Sequence, residues 1–184
     1  MKWMEITRRR LPHYHAIGGP LFITFRLHGS LPAGRYFGVD TVNSGQAFVL
    51  MDRLLDGETC GPLYLRRPEI VELVAAEIKR GAGAEYDLHA WVVMPNHVHL
   101  LITPLAKVSN LMQGIKGVTA REANKVLGLT GQRFWQRESS DRLVRDREEF
   151  RRVERYIVQN PVAAGLADCA EEFRWSSAWV AERD

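Results

Sequence analysis

The segment that decides the fold is residues 87–104, DLHAWVVMPNHVHLLITP. Two apolar runs joined by Met94-Pro95-Asn96 predict two strands and a tight turn. Because successive side chains of a strand point to opposite faces, His97 and His99 share one face and Val98 lies on the other. Imidazole is the commonest metal ligand in proteins. The pair therefore indicates either two metal ligands on one rigid strand or an ordinary polar face.

The composition is that of a single domain. The chain has 184 residues, of which 46% are hydrophobic, and this is enough to bury a core. We predict one domain over residues 1–184, with a basic, irregular arm at 1–18 and a C-terminal tail at 161–184 that packs on the core. Cys60 and Cys169 stand far apart in the sequence, which argues against a disulfide framework or a zinc ribbon.

No apolar run approaches the roughly 18 residues of a membrane span, and the N-terminal residues show no signal-peptide pattern. We therefore expect a cytoplasmic protein. The formal net charge is +3 and the pI is about 9.0, so a nucleic acid is an acceptable partner. Arginine binds phosphate with two donors and stacks on bases, and aromatic rings stack on unpaired bases. The candidate contacts are Gln113, Lys116, Thr119, Arg133, Phe134, Trp135 and Arg152. The alternative for Phe134 and Trp135 is that at least one of them belongs to the core.

Hydrophobic periodicity and turn residues predict the remaining elements. These are a strand at 21–27, helices at 42–55, 68–81, 105–127 and 146–160, and a loop or short hairpin at 131–142. Two glycines, Gly114 and Gly117, are expected to weaken or break the helix at 105–127. Pro161 is expected to end the last helix at Asn160, because the residue before a proline avoids helical geometry.

That last helix carries the second half of a candidate site. At about 100° per residue, Asn160 lies about 40° from Tyr156 on the same side of the helix. Gln159 is rotated about 100° from Asn160, so it is the weaker partner. Each residue alone also has an ordinary structural reading, since a tyrosine often lies at a core margin and an asparagine often ends a helix.

Together with the histidine pair, the helix suggests a metal-dependent chemistry. Two imidazoles and one amide oxygen form a neutral ligand set that leaves positions open for water and phosphate. Such a set suits catalytic Mg²⁺ or Mn²⁺ better than a closed structural zinc site, and an open three-ligand zinc site is the alternative. Tyr156 would then be the nucleophile, with help in losing its proton, and Arg152 would be a phosphate clamp.

The sequence resembles the single-tyrosine HUH transposases, and among them the REP-associated tyrosine transposases. In WVVMPNHVHLLITP, His97 and His99 match the His-hydrophobic-His motif, and in RYIVQNPVAAGL, Tyr156 and Asn160 match the nucleophile and the third ligand. The similarity extends over FITFRLHGSLP, LMQGIKGVTAREAN, FWQRESSDRLVRD and FRWSSAW, in the family's order. It therefore covers nearly the whole chain.

The resemblance implies an α+β, ferredoxin-like sandwich whose antiparallel sheet has its helices packed on one face. It implies that Tyr156 attacks a phosphodiester of single-stranded DNA, which gives a 5′-phosphotyrosine link and a free 3′-hydroxyl, and that rejoining reverses this step without ATP. His97, His99 and Asn160 would hold Mg²⁺ or Mn²⁺. Members of the family act at DNA hairpins in bacterial chromosomes, which suggests a nucleoid-associated protein, and a homodimer that exchanges its tyrosine helix is possible in this family.

Two other functions fit parts of the sequence. A domesticated relative would bind hairpin DNA with little or no cleavage, although all four motif residues are present. A small metal-dependent hydrolase or oxygenase of the cupin type also uses His-x-His, but its further ligands come from strands, and Tyr156 would then have no role.

Overall fold

The computed structural model of this chain describes residues 4–8, 12–16, 18–31, 55 and 61–181. Its strands are β1 (Met4–Arg8), β2 (Pro12–Ala16), β3 (Leu21–Arg26), β4 (Tyr86–Val93), β5 (His97–Pro104) and β6 (Ser140–Leu143). Its helices are α1 (Pro68–Arg80), α2 (Val108–Leu127) and α3 (Arg147–Ala163), with short 3₁₀ segments at Tyr64–Arg66 and Ala170–Glu172. None of the described helices combines the length and apolarity needed to cross a bilayer.

Four strands form one antiparallel sheet in the order β4-β5-β3-β6. The histidine strand β5 is therefore internal, with β3 on one side and β4 on the other. In this register His99 lies opposite Thr24 of β3 and Val92 of β4, and His97 lies opposite Arg26. Both histidines are thus held by a strand that is paired along both edges.

The sheet has apolar side chains on both faces. One face buries Ile23, Phe25, Val98 and Leu100 against α1 and α2. The other face carries Phe22, Val92 and Leu101, which pack against Val153 and Ile157 of α3. The predicted α+β class is confirmed, but the expectation that all helices pack on one face is wrong. The physical reason is that β3, β4 and β5 are apolar at both alternating sets of positions, so each face needs its own cover.

Two helices have boundaries close to those predicted. Helix α1 begins with Pro68 in its first turn and is followed by Gly81, as expected. Helix α2 runs unbroken through Gly114 and Gly117, so the predicted break is absent. Burial of the Leu111 and Ile115 stripe offsets the glycine cost of about 1 kcal/mol per residue.

The end of α3 differs from the prediction. The helix continues three residues beyond Asn160 and contains Pro161, which is buried. The Asn160 carbonyl accepts a hydrogen bond from the Ala164 amide at 3.0 Å, so the last turn closes around the proline. Packing of this turn against the sheet overrides the local preference of the residue before a proline.

The N-terminal arm also differs from the prediction. Instead of an irregular segment, β1 and β2 form an antiparallel hairpin in which Arg8 lies opposite Pro12. Arg9, Arg10, Cys60 and the predicted helix at 42–55 lie outside the described residues, apart from Leu55, which is buried. Cys169 is an exposed free thiol.

The C-terminal segment lies along the outer edge of β4. The Val93 amide donates to the Trp175 carbonyl at 2.9 Å, and the Ser177 amide donates to the Trp91 carbonyl at 2.9 Å. Ser176 forms an antiparallel bridge with Val92. The edge of β4 near the histidines is therefore covered by backbone that comes from beyond α3.

Candidate active site

The histidine pair lies on the face of the sheet that α3 covers. His97 and His99 are both fully buried, with 0% of each residue exposed. Their Nε2 atoms are 3.0 Å apart, and their ring centroids are 4.6 Å apart. The alternation predicted from the sequence is therefore present, and it brings two imidazole nitrogens to one point.

Each ring is held through its other nitrogen. His97 Nδ1 lies 2.7 Å from Asn96 Oδ1, and His99 Nδ1 lies 2.8 Å from Thr24 Oγ1. Because Asn96 Nδ2 donates to the Leu55 carbonyl at 3.0 Å, its Oδ1 is an acceptor, and His97 Nδ1 must donate to it. The lone pair of His97 Nε2 consequently faces His99, as a metal ligand requires.

Both imidazoles are uncharged near neutral pH. Burial lowers the pKa of His97 to about 3. Burial, followed by the charge of His97, holds the pKa of His99 well below its usual value of 6.5. Since only the neutral ring offers a lone pair to a cation, both side chains are in the protonation state that binds metals.

Helix α3 brings Tyr156 to this face. The Tyr156 ring centroid lies 5.6 Å from that of His99 and 6.0 Å from that of Phe22, in edge-on contacts. Phe22 in turn contacts His99 at 5.5 Å. The half-buried phenol and the paired imidazoles, encoded far apart in the sequence, therefore lie in one cluster of the same chain.

Asn160 completes the cluster one helical turn later. Its side-chain Nδ2 donates to Tyr156 Oη at 3.2 Å, and only 2% of the residue is exposed. Its Oδ1 is buried and has no hydrogen-bond partner among the described residues. A buried acceptor without a partner is costly, which makes this oxygen a natural ligand for a cation.

These residues fit a divalent metal ion. Two ligands at right angles around an octahedral ion at about 2.1 Å are about 3.0 Å apart, which is the separation of the two Nε2 atoms. The described part of the chain contains no cluster of three or more His, Cys, Asp or Glu side chains suited to a metal. The candidate donor set of two imidazoles and an amide differs from the thiolate sets of structural zinc sites.

Three of the candidate nucleic-acid contacts, Phe134, Trp135 and Thr119, are buried and have structural roles. Trp135 is only 5% exposed, donates from Nε1 to Thr119 Oγ1 at 2.9 Å and packs edge-on against Phe25 and Phe134, which is also buried. This contradicts the predicted stacking of Trp135 on bases. Thr119 is fully buried and also donates to the Ile115 carbonyl, so it is not available to a DNA backbone.

Lys116 holds the loop that carries Trp135. Its Nζ donates to the carbonyls of Gln136 and Arg137 at 2.7 and 3.0 Å, and to Ser139 Oγ at 3.3 Å. Burial lowers the pKa of Lys116 to about 8. The nearby charge of Glu138 acts in the opposite direction and offsets only part of this effect. With its three donors directed at this loop, Lys116 joins α2 to the strand end, and its contact with a phosphate stays a prediction.

The other candidates lie on the surface. Arg152 is exposed on α3 and pairs with Glu148 at 2.7 Å, one turn earlier. Gln113 and Arg133 are exposed, and Gln159 is exposed on the side of α3 away from Asn160. Contacts of Gln113, Arg133 and Arg152 with DNA stay predictions.

Sequence reasoning missed the two residues that orient the imidazoles. Asn96 could have been found, because an amide directly before the first histidine of the motif can reach its Nδ1. Thr24 has no local signal, because only the pairing of β3 with β5 places it opposite His99.

The chain is similar in sequence to a known family over the segment that carries this cluster. Residues 69–160, half of the chain, match the family described as transposase, IS200 like, and this segment contains all four residues of the cluster. No curated protein matches the sequence.

A solved structure described as "Structure of the REP associates tyrosine transposase bound to a REP hairpin" is similar, with a TM-score of 0.57 and 21% sequence identity over 95% of this chain and 82% of that chain. At this identity the likeness shows a shared fold. From the match to half of its length, the chain belongs to the IS200-like transposase family.

Proposed function

We propose that this chain is a metal-dependent endonuclease and strand transferase that cleaves single-stranded DNA at hairpins through a covalent 5′-phosphotyrosine. The observation that carries the proposal is the cluster of Tyr156 with His99 and Asn160 on one face of the sheet. A packed core alone does not require a phenol, two neutral imidazoles and a buried amide oxygen that lacks a hydrogen-bond partner among the described residues in one place.

His97, His99 and Asn160 would hold Mg²⁺ or Mn²⁺, the last through its buried Oδ1. When bound, such an ion polarises a phosphoryl oxygen and neutralises the charge that grows in the transition state. The same Asn160 side chain donates from Nδ2 to Tyr156 Oη. A hydrogen bond of this kind favours the charged form of an oxygen acid, so it assists loss of the phenol proton.

In the proposed reaction Tyr156 Oη attacks the phosphorus of a backbone phosphodiester. An Oη–P bond forms and the P–O3′ bond breaks, so the strand leaves with a 3′-hydroxyl that has taken up a proton, while the phenol proton passes to water. Attack by a 3′-hydroxyl on the phosphotyrosine reverses these changes. The number of phosphoester bonds is conserved, so rejoining needs no ATP.

The proposed substrate is a DNA hairpin. The family to which the chain belongs consists of transposases, and the solved structure that shares its fold is that of a protein bound to a REP hairpin. A protein with such a substrate would be associated with the nucleoid. A homodimer is compatible with this proposal, although α3 reaches the histidines of its own chain.

The test is formation of a covalent protein–DNA adduct. Purified protein, Mg²⁺ or Mn²⁺ and a hairpin oligonucleotide with a single-stranded extension should give an adduct on a denaturing gel. Tyr156→Phe should give none, whereas Tyr64→Phe, which alters a half-buried tyrosine stacked on Phe134, should retain it. An adduct with Tyr156→Phe would show that another residue is the nucleophile.

A second variant separates binding from chemistry. His97→Ala should abolish cleavage and keep most of the affinity for the hairpin, because phosphate contacts elsewhere supply most of the binding free energy. Equal loss of binding would instead give His97 a structural role. Tight hairpin binding by the wild-type chain without any adduct would favour the alternative, a hairpin-binding protein without cleavage.

A further inference from the structure

Arg26 lies beside the histidine pair at the end of β3. In the register of β3 and β5 it is directly opposite His97, two residues beyond the pair that Thr24 forms with His99. Thr24 contacts His99 on the face that α3 covers, and side chains two residues apart in a strand share a face. Phe25, the residue before Arg26, belongs to the core on the other face. The Arg26 side chain therefore leaves the sheet on the same face as the two imidazoles.

The pairing of Arg26 with His97 is of the closer kind. The Leu27 amide donates to the Asn96 carbonyl at 2.8 Å, which makes Leu27 and Asn96 a hydrogen-bonded pair of the two strands. Such pairs alternate along antiparallel strands with non-hydrogen-bonded pairs, whose Cα atoms are only about 4.5 Å apart. Arg26 and His97 form a pair of this second type, so the arginine side chain begins next to a candidate metal ligand.

Arg26 is half-buried and has unused donors. Its Nη1 donates to Ser30 Oγ at 3.1 Å, and this is its one side-chain hydrogen bond within the described part of the chain. A guanidinium carries several further N–H donors and stays charged in proteins. Burial lowers the pKa of Arg26, with no carboxylate among the described residues to raise it. The side chain thus presents a positive charge that is partly withdrawn from water and lacks an anion.

The other arginines whose side chains are described differ from Arg26. Arg142 is also half-buried, but it pairs with Glu149. Arginines without a carboxylate partner in the described ranges, such as Arg133 and Arg151, are exposed to water. Partial burial of an unpaired charge costs free energy because the lost hydration is not replaced. An anionic ligand on this face would replace it.

We propose that Arg26 is a further catalytic residue, which donates hydrogen bonds to a non-bridging oxygen of the scissile phosphate. The inference rests on the proposed function and adds to it a residue from outside the histidine and tyrosine motifs. The candidate metal ligands His97, His99 and Asn160 are all neutral, so the site has no fixed anion that would compete with the phosphate for the guanidinium.

The chemistry of this contact is electrostatic. When Tyr156 Oη attacks the phosphorus, negative charge grows on the two non-bridging oxygens. A preorganised donor at these oxygens stabilises the transition state more than the bound substrate, and the planar fork of arginine suits two oxygens of one phosphate. Arg26 forms no covalent bond and gives up no proton, so the bond changes of the proposed reaction are unaltered.

Single-turnover cleavage of a hairpin oligonucleotide with a single-stranded extension tests this role. With Mn²⁺ and saturating DNA, Arg26→Gln should slow adduct formation about 100-fold, the range known for loss of one donor to a developing oxyanion. Its affinity for the hairpin should stay within about threefold of the wild type, because other phosphate contacts supply most of the binding free energy. Arg26→Lys keeps the charge without the fork and should recover part of the rate.

The matched control is Arg80→Gln. Arg80 is an exposed arginine of α1 that pairs with Glu77, so this variant removes one positive charge from the opposite side of the sheet. It should form the adduct at the wild-type rate. Equal slowing by Arg80→Gln and Arg26→Gln would show that net charge alone is responsible, and would contradict the assignment.

A substrate with less charge separates a catalytic role of Arg26 from a structural one. A methylphosphonate at the mapped cleavage position lacks the charged non-bridging oxygen, so the guanidinium has less charge to stabilise there. On this substrate the wild type and Arg26→Gln should differ by less than about tenfold, because removal of two interacting groups is not additive. An equal loss on both substrates would mean that Arg26 supports the fold, and would overturn the inference.

Binding of inorganic vanadate gives a readout that does not require cleavage. Vanadate can adopt the five-coordinate geometry of phosphoryl transfer, and transition-state analogues bind more tightly than substrates. Titration calorimetry in the presence of Mn²⁺ should show vanadate binding to the wild type about tenfold more tightly than to Arg26→Gln, as expected for one charge-assisted hydrogen bond. The same affinity in the two proteins, or no binding by either, would overturn the assignment.

The outcomes distinguish this inference from the proposed function. If the wild type and Arg26→Gln form the tyrosine adduct at the same rate, Arg26 has no catalytic role and the cleavage proposal stands. If the wild type forms no adduct and vanadate binding still depends on Arg26, the cleavage proposal fails and the contact of Arg26 with a phosphoryl group is supported.

Discussion

At the scale of single residues, the site depends on small polar side chains that serve two partners. Asn96 accepts from His97 and donates to the Leu55 carbonyl, and Asn160 donates to Tyr156 while its oxygen has no partner in the part of the chain that the structure describes. An amide can do this because it carries a donor and an acceptor on one rigid group. Replacement by a carboxylate of the same size would remove the donor.

Thr24 allows a sharp test of ring orientation. Thr24→Val removes the hydroxyl that contacts His99 Nδ1 at 2.8 Å and keeps the shape of the side chain. We expect the affinity for Mn²⁺, measured by isothermal titration calorimetry, to fall about 10- to 100-fold, as is typical for residues that orient metal ligands. Thr103→Val is the control, because it removes an equivalent contact to His89 at 2.8 Å. Equal effects of the two substitutions would contradict the assigned role.

Tyr86 provides a test of stability and its pH dependence. Its hydroxyl donates to the Ile78 carbonyl at 2.5 Å, and burial raises the pKa of Tyr86 to about 12. Tyr86→Phe should cost about 1–3 kcal/mol near neutral pH, because a buried acceptor loses its partner. Between pH 10 and the folded-state pKa the unfolded chain loses the phenol proton and the folded chain keeps it, so wild-type stability falls as pH rises.

Urea unfolding at several pH values checks this expectation. The advantage of the wild type over Tyr86→Phe should shrink as the pH rises above about 10, the usual pKa of tyrosine. A constant difference across the alkaline range would mean that the phenol titrates alike in the folded and unfolded chains.

Gly81 lies against the same ring, and a Cβ added there would come within 2.6 Å of it, so a side chain at this position must displace Tyr86.

At the scale of elements, α3 determines whether the site is assembled. The Asp146 side chain accepts from the Glu149 amide at 2.8 Å, and Glu149 Oε2 accepts from the Arg145 amide at 2.8 Å. Arg142 of β6 pairs with the same Glu149 carboxylate, which ties the start of the helix to the sheet. The first turn of α3 is therefore anchored three turns before Asn160 presents its amide.

The cap can be tested by substitution. Asp146→Ala should reduce the free energy of unfolding by about 1 kcal/mol, because an amide of the first turn loses its acceptor. Asp146→Ser retains an acceptor and should keep most of the wild-type stability. Chemical unfolding of the three proteins under identical conditions measures the difference. If serine and alanine are equally destabilising, the loss has a cause other than the cap.

At the scale of the whole molecule, the two faces of the sheet have different contents. The face under α1 and α2 buries mainly apolar side chains such as Ile23 and Leu100, whereas the face under α3 mixes an apolar cluster with the histidine pair. Burial on the face under α1 and α2 stabilises the fold and involves no residue of the candidate active site. The second face has the smaller apolar cluster and carries the candidate active-site residues.

A cavity on the first face tests this division. Ile78→Ala, at a residue of α1 that is 0% exposed, should cost about 2–5 kcal/mol of unfolding free energy. The Mn²⁺ affinity of the folded variant should stay within about twofold of the wild type, because no contact of the histidines changes. Loss of metal affinity in a protein shown to be folded by circular dichroism would mean that the two faces are coupled.

The sequence by itself determined the local features of this protein. Alternation along the strand placed His97 and His99 on one face, and helical spacing placed Tyr156 and Asn160 on one side of α3, because both periodicities are fixed by backbone geometry. The boundaries of α1, β4 and β5 followed from apolar periodicity and from Pro68, Gly81 and the turn residues. The resemblance to a transposase family followed from the order and spacing of these same motifs.

Only the tertiary structure decided which distant residues meet. The pairing of β3 with β5 brought Thr24 to His99, and the packing of α3 on the opposite face from α1 brought the phenol to the imidazoles. The same packing carried α3 past Pro161 and buried Trp135, against their local expectations. These features depend on contacts between segments far apart in the chain, which local periodicity does not encode, so their burial and partners required the folded molecule.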